Sequence, residues 1–366
     1  MAKKKHILIL VPSFTAIGGI TNYYRVLESL FTIKLIYFIR GARTWPVKKG
    51  FLNELLRILR DNFLFVKTLL LRPVSLVVTN TAFSSLSVMR DGIFIFIAKG
   101  FRKKVIIFIR GWDRDFESLI ENKYLKIFKW FYFRADAFIV LAVYEKNKLI
   151  QWGYSKKIFL ETTVVDDKLV ETLSEGEILL KYNNYENLNL LFLSRVEISK
   201  GIYETLDAFK LIQDKFKHVT ITIAGDGFEL PKLIQKVKNE SISNVFFTGH
   251  ISGKEKIHAF KKAHIFIFPS YSEGMPNAVL EAMAFGLPVV TRNVGGLVDF
   301  FENGEHGFIT NSRSPQVFKT LIENLIDNQE LLEKIAITNY KLAQERFIAS
   351  KVIKRIESVY LEVLND

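Results

Sequence analysis

The 366-residue sequence predicts an α/β protein built from two doubly wound domains in tandem. In the first half, short continuous apolar segments alternate with amphipathic helical patterns, which is typical of a parallel sheet covered by helices on both faces. A polar stretch at residues 172–187, rich in Glu, Asn and Tyr, then interrupts this alternation, and we interpret it as a linker. The alternation starts again after it, and the chain length suits two or three domains.

The predicted elements of the first half begin with a basic lead, Met1-Ala-Lys-Lys-Lys, that runs into a buried strand rather than forming a signal peptide. Strands are predicted at residues 6–11, 34–38, 75–79, 104–109 and 137–141. Helices are predicted at residues 21–31, 51–71, 84–98 and 122–134.

In the second half, strands are predicted at residues 188–193, 219–224, 245–247, 265–268 and 288–291. Helices are predicted at residues 201–215, 230–240, 254–263 and 276–285, with a final helix at 348–364. Ligands of doubly wound sheets bind at the carboxyl ends of the strands, so we expect the functional residues in strand-to-helix loops and the site in the cleft between the domains.

Composition excludes several classes of protein. The sequence has no cysteine, which rules out disulfides, thiolate zinc sites, Fe–S clusters and a cysteine nucleophile. Its strongly apolar stretches, such as residues 93–98 and 105–109, are far shorter than the roughly 20 residues needed to span a bilayer. We expect neither a metal ion nor another cofactor.

The net charge of +13 is concentrated in the N-terminal half. Residues 1–170 hold 29 Lys and Arg against 13 Asp and Glu, whereas residues 171–366 hold 22 against 25. Bases alternate with large apolar residues at 51–72, 99–104 and 124–134, a pattern that favours an anionic membrane surface over nucleic acid. A solvated lysine-rich surface is the alternative interpretation. We therefore expect a cytoplasmic protein that is peripheral on the inner face of the membrane.

The most informative segment is residues 268–290. A buried strand ends at Pro269, a loop carries Glu273 and Gly274, and Pro276 suits the first position of a helix that stops at Gly286. The start of that helix leaves backbone N–H groups open near Met275, Asn277 and Ala278, which favours an anion site. Two carboxylates beside it, Glu273 and Glu281, suit sugar hydroxyls, although alone they would also fit a dipole-stabilising and a surface glutamate.

This segment resembles the donor-binding motif of retaining glycosyltransferases of family four, a group that includes sucrose synthase-like and bacterial polysaccharide enzymes. The motif has two glutamates separated by seven residues, here Glu273 and Glu281, and the resemblance covers nearly the whole chain. It implies a GT-B fold with two facing Rossmann-like domains and a C-terminal helix that crosses back to the first. By this resemblance, residues 1–172 with the helix at 348–366 bind the acceptor, and residues 173–347 bind a nucleoside-diphosphate sugar.

The resemblance also assigns roles to these two glutamates. It implies that Glu273 contacts the hydroxyls of the donor sugar and that Glu281 contacts the ribose. Gly274, Met275, Pro276 and Asn277 lie in the same donor-binding segment.

Other loops agree with this assignment. Arg195 and Lys200 follow the first strand of the second half, where two cations can stabilise a leaving diphosphate. Paired glycines, Gly18 and Gly19, precede the first helix and let the backbone approach a phosphate or sugar. Two further places are similar to positions in the family. Gly225 lies in a tight strand-to-helix turn, and backbone groups of Gly249 and His250 would hold the base of the nucleotide.

The sequence departs from the family in one loop. Many members carry a histidine near the donor sugar, but here the segment reads Ile109-Arg-Gly-Trp-Asp113, with Arg110 close to that place. Arg110 or Asp113 would then make the polar contact, and Trp112 lies between them on the acceptor side. We count Asp113 with Glu273, Arg195 and Lys200 as candidate catalytic residues.

The predicted function is transfer of a sugar to a hydroxyl of a glycan or lipid-linked glycan, in bacterial surface polysaccharide synthesis such as lipopolysaccharide or capsule. An inactive homologue that binds glycans or nucleotide sugars and a nucleotide-sugar epimerase of the same architecture are the alternatives. The sequence does not specify the sugar, the nucleotide, the acceptor, the linkage or the oligomeric state.

Overall fold

The computed structural model describes residues 6–16, 18–40, 51–183 and 188–366. These residues form two compact units. One unit contains the described residues up to Thr162 together with Val352–Asp366, and the other contains Thr163–Lys351.

The first unit has a six-stranded parallel sheet in the order β2-β1-β3-β4-β5-β6. Its strands are β1 (His6–Val11), β2 (Leu35–Ile39), β3 (Val74–Phe83), β4 (Lys104–Trp112), β5 (Ala137–Val140) and β6 (Lys157–Leu160). Its helices are α1 (Gly19–Leu27), α2 (Phe51–Leu71), α3 (Ser85–Gly100), α4 (Arg114–Leu119), α5 (Leu125–Tyr132) and α6 (Val143–Gln151), with a π-helical turn at Ile120–Tyr124 between α4 and α5.

The second unit has a six-stranded parallel sheet in the order β12-β11-β10-β7-β8-β9. Its strands are β7 (Asn189–Leu193), β8 (Thr220–Ala224), β9 (Val245–Gly249), β10 (Ile265–Phe268), β11 (Val289–Arg292) and β12 (Gly307–Thr310). Its helices are α7 (Asp167–Val170), α8 (Glu175–Asn183), α9 (Ile202–Ile212), α10 (Leu230–Asn239), α11 (Gly253–Lys262), α12 (Asn277–Ala284), α13 (Pro315–Ile326) and α14 (Gln329–Arg346). The last helix of the chain is α15 (Ala349–Asn365).

The core of the first unit lies on both faces of its sheet, as the continuous apolar strands predict. On one face, Phe65 of α2, Phe94 of α3 and Phe128 of α5 are buried against the strands. On the other face, Tyr24 of α1 hydrogen-bonds Tyr360 of α15, and both rings are buried. The C-terminal helix therefore belongs to the core of the first unit.

The boundaries of the units differ from the sequence-based division at residues 172/173 and 347/348. Residues 163–172 pack in the second unit, where the Val165 N–H donates to the Phe347 carbonyl at 2.8 Å. Within the polar stretch interpreted as a linker, α8 buries Ile178 and Tyr182, while residues 184–187 lie outside the described residues. Its polar composition reflects the exposed face of this helix.

Candidate active site

The candidate site lies at the carboxyl edge of the second sheet, where ligands bind in doubly wound folds. Strand β10 ends at Phe268, and the loop that follows leads into α12. Pro276 is the residue before the helix, with an extended backbone at φ −75° and ψ 111°, so the helix begins at Asn277 and not at Pro276 as expected. Loops after β7 and β11 approach the same segment.

Glu273 is held by two donors from neighbouring positions. The Lys200 Nζ lies 2.6 Å from Glu273 Oε1, and the Ser270 hydroxyl donates to the same oxygen at 2.7 Å. The Lys200 and Glu273 side chains are only 13% and 16% exposed, so this ion pair is partly shielded from water. Both contacts use Oε1, which leaves Oε2 able to accept a hydrogen bond from a hydroxyl.

The backbone around Glu273 is fixed by close approaches of glycines from the two neighbouring loops. Gly295, at φ +54°, lies so close that a Cβ there would be 2.1 Å from the Gly274 carbonyl oxygen. The Gly296 N–H donates to that same oxygen at 2.8 Å. On the other side, a Cβ at Gly201 would be 2.3 Å from the Pro269 carbonyl oxygen. The loop therefore has a single well-packed path.

The start of α12 lies directly after this loop. Among the described residues, no side chain caps it, and the N–H groups of Asn277 and Ala278 have no intrahelical acceptor, whereas the Val279 N–H donates to the Pro276 carbonyl at 3.1 Å. Met275, just before the helix, is buried, and its carbonyl accepts from the Thr163 hydroxyl at 3.5 Å. Open N–H groups beside a carboxylate and a lysine can bind an anion and a polyol together.

Glu281 lies one turn into α12 and is 4% exposed. The Lys256 Nζ of α11 is 2.6 Å from each of its carboxylate oxygens. Burial raises the pKa of Glu281 above its ordinary value, and the positive charge of Lys256 opposes that rise. The Lys256 charge therefore favours the ionised, hydrogen-bond-accepting form of this buried carboxylate.

The remaining predicted donor residues of this unit lie in the loops after β7, β8 and β9. Arg195 has a side chain that is 67% exposed and pairs with Glu197 at 2.8 Å. The Gly225 N–H donates to the Gly249 carbonyl at 2.8 Å, and a Cβ at Gly225 would be 1.7 Å from the Ser194 carbonyl oxygen. His250 is exposed. The three loops are thus packed together by their backbones.

The predicted residues of the first unit occupy the carboxyl edge of its own sheet. Gly18 and Gly19 precede and begin α1, and a Cβ at either would meet no described atom within 4 Å. Arg110 of β4 lies with its guanidinium 4.0 Å above the ring of Tyr23, which belongs to α1. Its Nη1 is buried and has no hydrogen-bond partner among the described residues. Arg110 and the glycine loop therefore lie on neighbouring elements.

Trp112 and Asp113 have structural contacts. The Trp112 ring stacks on Phe83 with centroids 4.1 Å apart, and its Nε1 donates to Glu117 at 2.5 Å. The Asp113 carboxylate accepts from the Phe116 N–H at 2.9 Å and caps α4. Both side chains thus contact α4. The predicted acceptor-side position of Trp112 and the predicted catalytic role of Asp113 stay predictions.

Sequence reasoning missed three contributors to the site: Lys256, Ser270 and the pair Gly295–Gly296. Gly295 and Gly296 follow β11 in the same way that Gly18 and Gly19 follow β1. This similarity in position could have indicated them from the sequence. Lys256 had none, because its partner lies on a different helix. In the described parts of the chain, no three His, Cys, Asp or Glu side chains come together as a metal site.

The fold defines the chain as a two-domain α/β protein with parallel sheets. Its C-terminal domain presents carboxylates, a lysine and the start of a helix at one edge of its sheet. Residues 181–342 match the family model described as glycosyl transferases group 1. This similarity covers the C-terminal segment of the chain.

Curated relatives that are similar to this chain include named glycosyltransferases. The chain is 29% identical over 231 residues to the capsular polysaccharide biosynthesis glycosyltransferase CapM of Staphylococcus aureus, covering 62% of this chain. It spans between 58% and 65% of the length of this relative and of two further curated relatives.

Two solved structures cover nearly all of both chains. They are sucrose-phosphate synthase from Thermosynechococcus elongatus (TM-score 0.78, 16% identity, 99% of each chain) and Anabaena HepE in complex with UDP-glucose (TM-score 0.70, 19% identity, 98% of this chain and 99% of that chain). These similarities confirm the predicted GT-B fold class, with two Rossmann-like domains.

Proposed function

We propose that this protein is a retaining glycosyltransferase that moves a sugar from a nucleoside-diphosphate sugar to a hydroxyl of a glycan or lipid-linked glycan. The observation that carries the proposal is the position of Glu273, which Lys200 and Ser270 hold at 2.6 and 2.7 Å beside the open start of α12. This arrangement offers cationic and N–H groups to a diphosphate and a carboxylate oxygen to the attached sugar.

Support for the donor and the pathway class comes from similar proteins. The structure of HepE contains UDP-glucose, and CapM is named for capsular polysaccharide biosynthesis. A UDP-type donor and a role in surface polysaccharide assembly are therefore the first possibilities to test for this chain.

In the proposed mechanism, Lys200, Arg195 and the first N–H groups of α12 stabilise the diphosphate as its negative charge grows. Glu273 accepts hydrogen bonds from the sugar hydroxyls and Glu281 from the ribose. The bond between the anomeric carbon and the diphosphate oxygen breaks, and the acceptor oxygen bonds to the same face of that carbon. A donor phosphate oxygen takes the proton of the acceptor hydroxyl, and the nucleoside diphosphate leaves. These cations take the place that a divalent metal has in other transferases, and we propose a metal-independent reaction.

We further propose that the first unit binds the acceptor and an anionic membrane surface. The buried Nη1 of Arg110 has no hydrogen-bond partner among the described residues, so this guanidinium is a candidate to meet an anionic group. The positive charge of the N-terminal half supports the membrane contact. No helix in the described part of the chain is both long enough and apolar enough to cross a bilayer.

A thermal-shift panel of UDP-, GDP- and ADP-sugars tests the donor assignment, because a ligand bound only by the folded state raises the unfolding temperature. We expect one nucleotide class to raise it, and Glu281→Ala to abolish that rise. Glu330→Ala, which changes an exposed glutamate at the start of α14, is the matched control and should keep it. No shift with any nucleotide sugar would contradict the proposal.

The chemistry itself separates the alternatives. Transfer to a hydroxyl with retained anomeric configuration, followed by NMR, supports the proposed enzyme. Binding without turnover would indicate the inactive homologue, and conversion of the nucleotide sugar without any acceptor would indicate the epimerase.

A further inference from the structure

An apolar groove of about 560 Å³ opens on the surface of the first unit. One wall is α3, which contributes Val88, Met89 and Ile93, and the other is the segment from α4 to α5, which contributes Leu119 and Ile127. No charged side chain of the described residues lines it, and the Tyr132 hydroxyl in its wall already donates to the Val88 carbonyl at 2.8 Å. The groove is therefore suited to a hydrocarbon and not to a sugar.

Several apolar side chains that line the groove have a large exposed fraction. Met89 is 71% exposed and Ile127 is 58% exposed, and each belongs to a helix that buries its other face in the core. A contiguous apolar surface of this kind marks a binding site more often than a random feature of a soluble surface.

The groove begins at the carboxyl edge of the first sheet. Ser85, at one end of it, starts the helix that follows β3, and Phe116 belongs to the helix that follows β4. Phe116 packs against Phe83, which also stacks on Trp112. The groove thus runs from the carboxyl edge of the first sheet down along the helical layer formed by α3 and α5.

The surroundings of the groove are basic and aromatic. Residues 85–134 contain eleven Lys and Arg against five Asp and Glu, and Lys123 and Lys126 are exposed beside the α5 wall. Trp130 and Phe96, half-exposed, stack with centroids 5.1 Å apart, and the Arg134 guanidinium lies 4.7 Å from the Trp130 ring. Exposed aromatic rings flanked by cations are typical of the interface between lipid and water.

We propose that this groove binds the hydrocarbon chain of an anionic lipid-linked acceptor, whose head group then lies at the carboxyl edge of the first sheet. The inference rests on the proposed transferase function and names the acceptor class. The charge pattern favours this occupant over a second copy of the chain, because a two-fold contact would bring the same basic rim against itself.

Alkyl phosphates below their micelle concentrations test the groove directly in solution, without a bilayer. We expect dodecyl phosphate to bind the full-length protein and butyl phosphate to bind at least about tenfold more weakly, because each buried methylene strengthens binding several-fold. Met89→Glu should weaken dodecyl phosphate binding about tenfold or more. Leu86→Glu is the matched control, since Leu86 is on the same helix, is 77% exposed and does not line the groove.

The outcomes separate this inference from the proposed function. Chain-length-dependent binding that Met89→Glu removes and Leu86→Glu keeps supports the groove, whether or not a nucleotide sugar binds. Equal binding of the two alkyl phosphates, or equal loss in the two variants, overturns it even if transfer to a water-soluble acceptor is normal. Loss of binding to anionic vesicles in Met89→Glu without any dodecyl phosphate binding by the wild type would mean bilayer contact only, which also overturns it.

Discussion

At the scale of single residues, Gly295 is fixed by the close approach of two backbones. Its φ is +54°, and a Cβ would be 2.1 Å from the Gly274 carbonyl oxygen beside Glu273. We expect Gly295→Ala to lower the free energy of unfolding by roughly 2–3 kcal/mol, because it adds a clash to an unfavourable backbone conformation. Gly304→Ala is the control, since its φ is +80° but its Cβ would meet no described atom within 4 Å. Equal losses in urea denaturation would contradict this account of the loop.

The Lys256–Glu281 pair gives a second prediction at this scale. Lys256→Met removes the cation from a carboxylate that is 4% exposed, so we expect a destabilisation of about 3 kcal/mol at pH 7. Without Lys256, the pKa of Glu281 in the folded state rises further above its unfolded value. The loss should therefore be absent at pH values below the unfolded pKa and should grow as the pH rises through the folded pKa.

Two variants control this experiment. Lys256→Met combined with Glu281→Gln should recover much of the loss, because no buried charge is left. Lys261→Met removes a more exposed lysine from the same helix and should change stability by less than about 0.5 kcal/mol. A similar effect of both single variants would show that the pair is not the cause.

These residues also show what the sequence could predict about the site. Glu273, Gly274 and Glu281 were predicted because they lie in one continuous strand–loop–helix segment with a characteristic spacing. Lys256 could not be predicted, because its contact with Glu281 joins α11 and α12 and has no local pattern.

At the scale of secondary-structure elements, β10 begins directly after a buried histidine. The His264 Nδ1 accepts a hydrogen bond from the Asn189 N–H of β7 at 3.1 Å, which requires an unprotonated nitrogen. Burial, with a smaller contribution from the charge of Lys181, lowers the pKa of His264 to about 4. The ring is therefore neutral in the folded protein at neutral pH.

The pH dependence follows from this lowered pKa. The unfolded chain binds a proton on His264 more readily than the folded protein, so stability is complete above pH 6.5 and decreases as the pH falls towards 4. The total loss is about 3 kcal/mol. We expect His264→Gln to flatten this part of the stability profile and His258→Gln, which changes an exposed histidine, to leave it unchanged. An unchanged slope in His264→Gln would contradict the assignment.

The elements differ in how well the sequence predicted them. Buried parallel strands such as β4 and β10 are continuous apolar runs, so their positions were clear from the sequence. Helix α8 was not predicted, because its composition is polar and only two of its side chains, Ile178 and Tyr182, are identified as core. The Tyr182 hydroxyl lies within hydrogen-bonding distance of the Gly286 carbonyl at 2.8 Å and the His264 carbonyl at 3.0 Å, contacts that depend on the folded unit.

At the scale of the whole molecule, the chain combines a basic first half with exposed apolar helix faces. On α2, Leu59, Phe63 and Leu70 are 58%, 69% and 67% exposed. We expect the protein to sediment with vesicles that contain anionic lipid at low salt and to be released at high salt, because screening weakens the attraction of bases to the surface.

Two variants locate this contact. Phe63→Asp should weaken vesicle binding, whereas Phe228→Asp, which changes a 91% exposed residue of the second unit, should not. Binding that is insensitive to salt, or that responds equally to both variants, would contradict a membrane surface on the first unit.

The central claim is that Glu273 and Lys200 act together on a sugar diphosphate, and the rate of sugar transfer from the donor identified by thermal shift tests it most directly. We expect Glu273→Gln and Lys200→Met each to lower the rate by about 10²–10³-fold. Glu330→Gln should keep the wild-type rate, and all three proteins should remain folded. Near-normal rates in both Glu273→Gln and Lys200→Met would contradict the account.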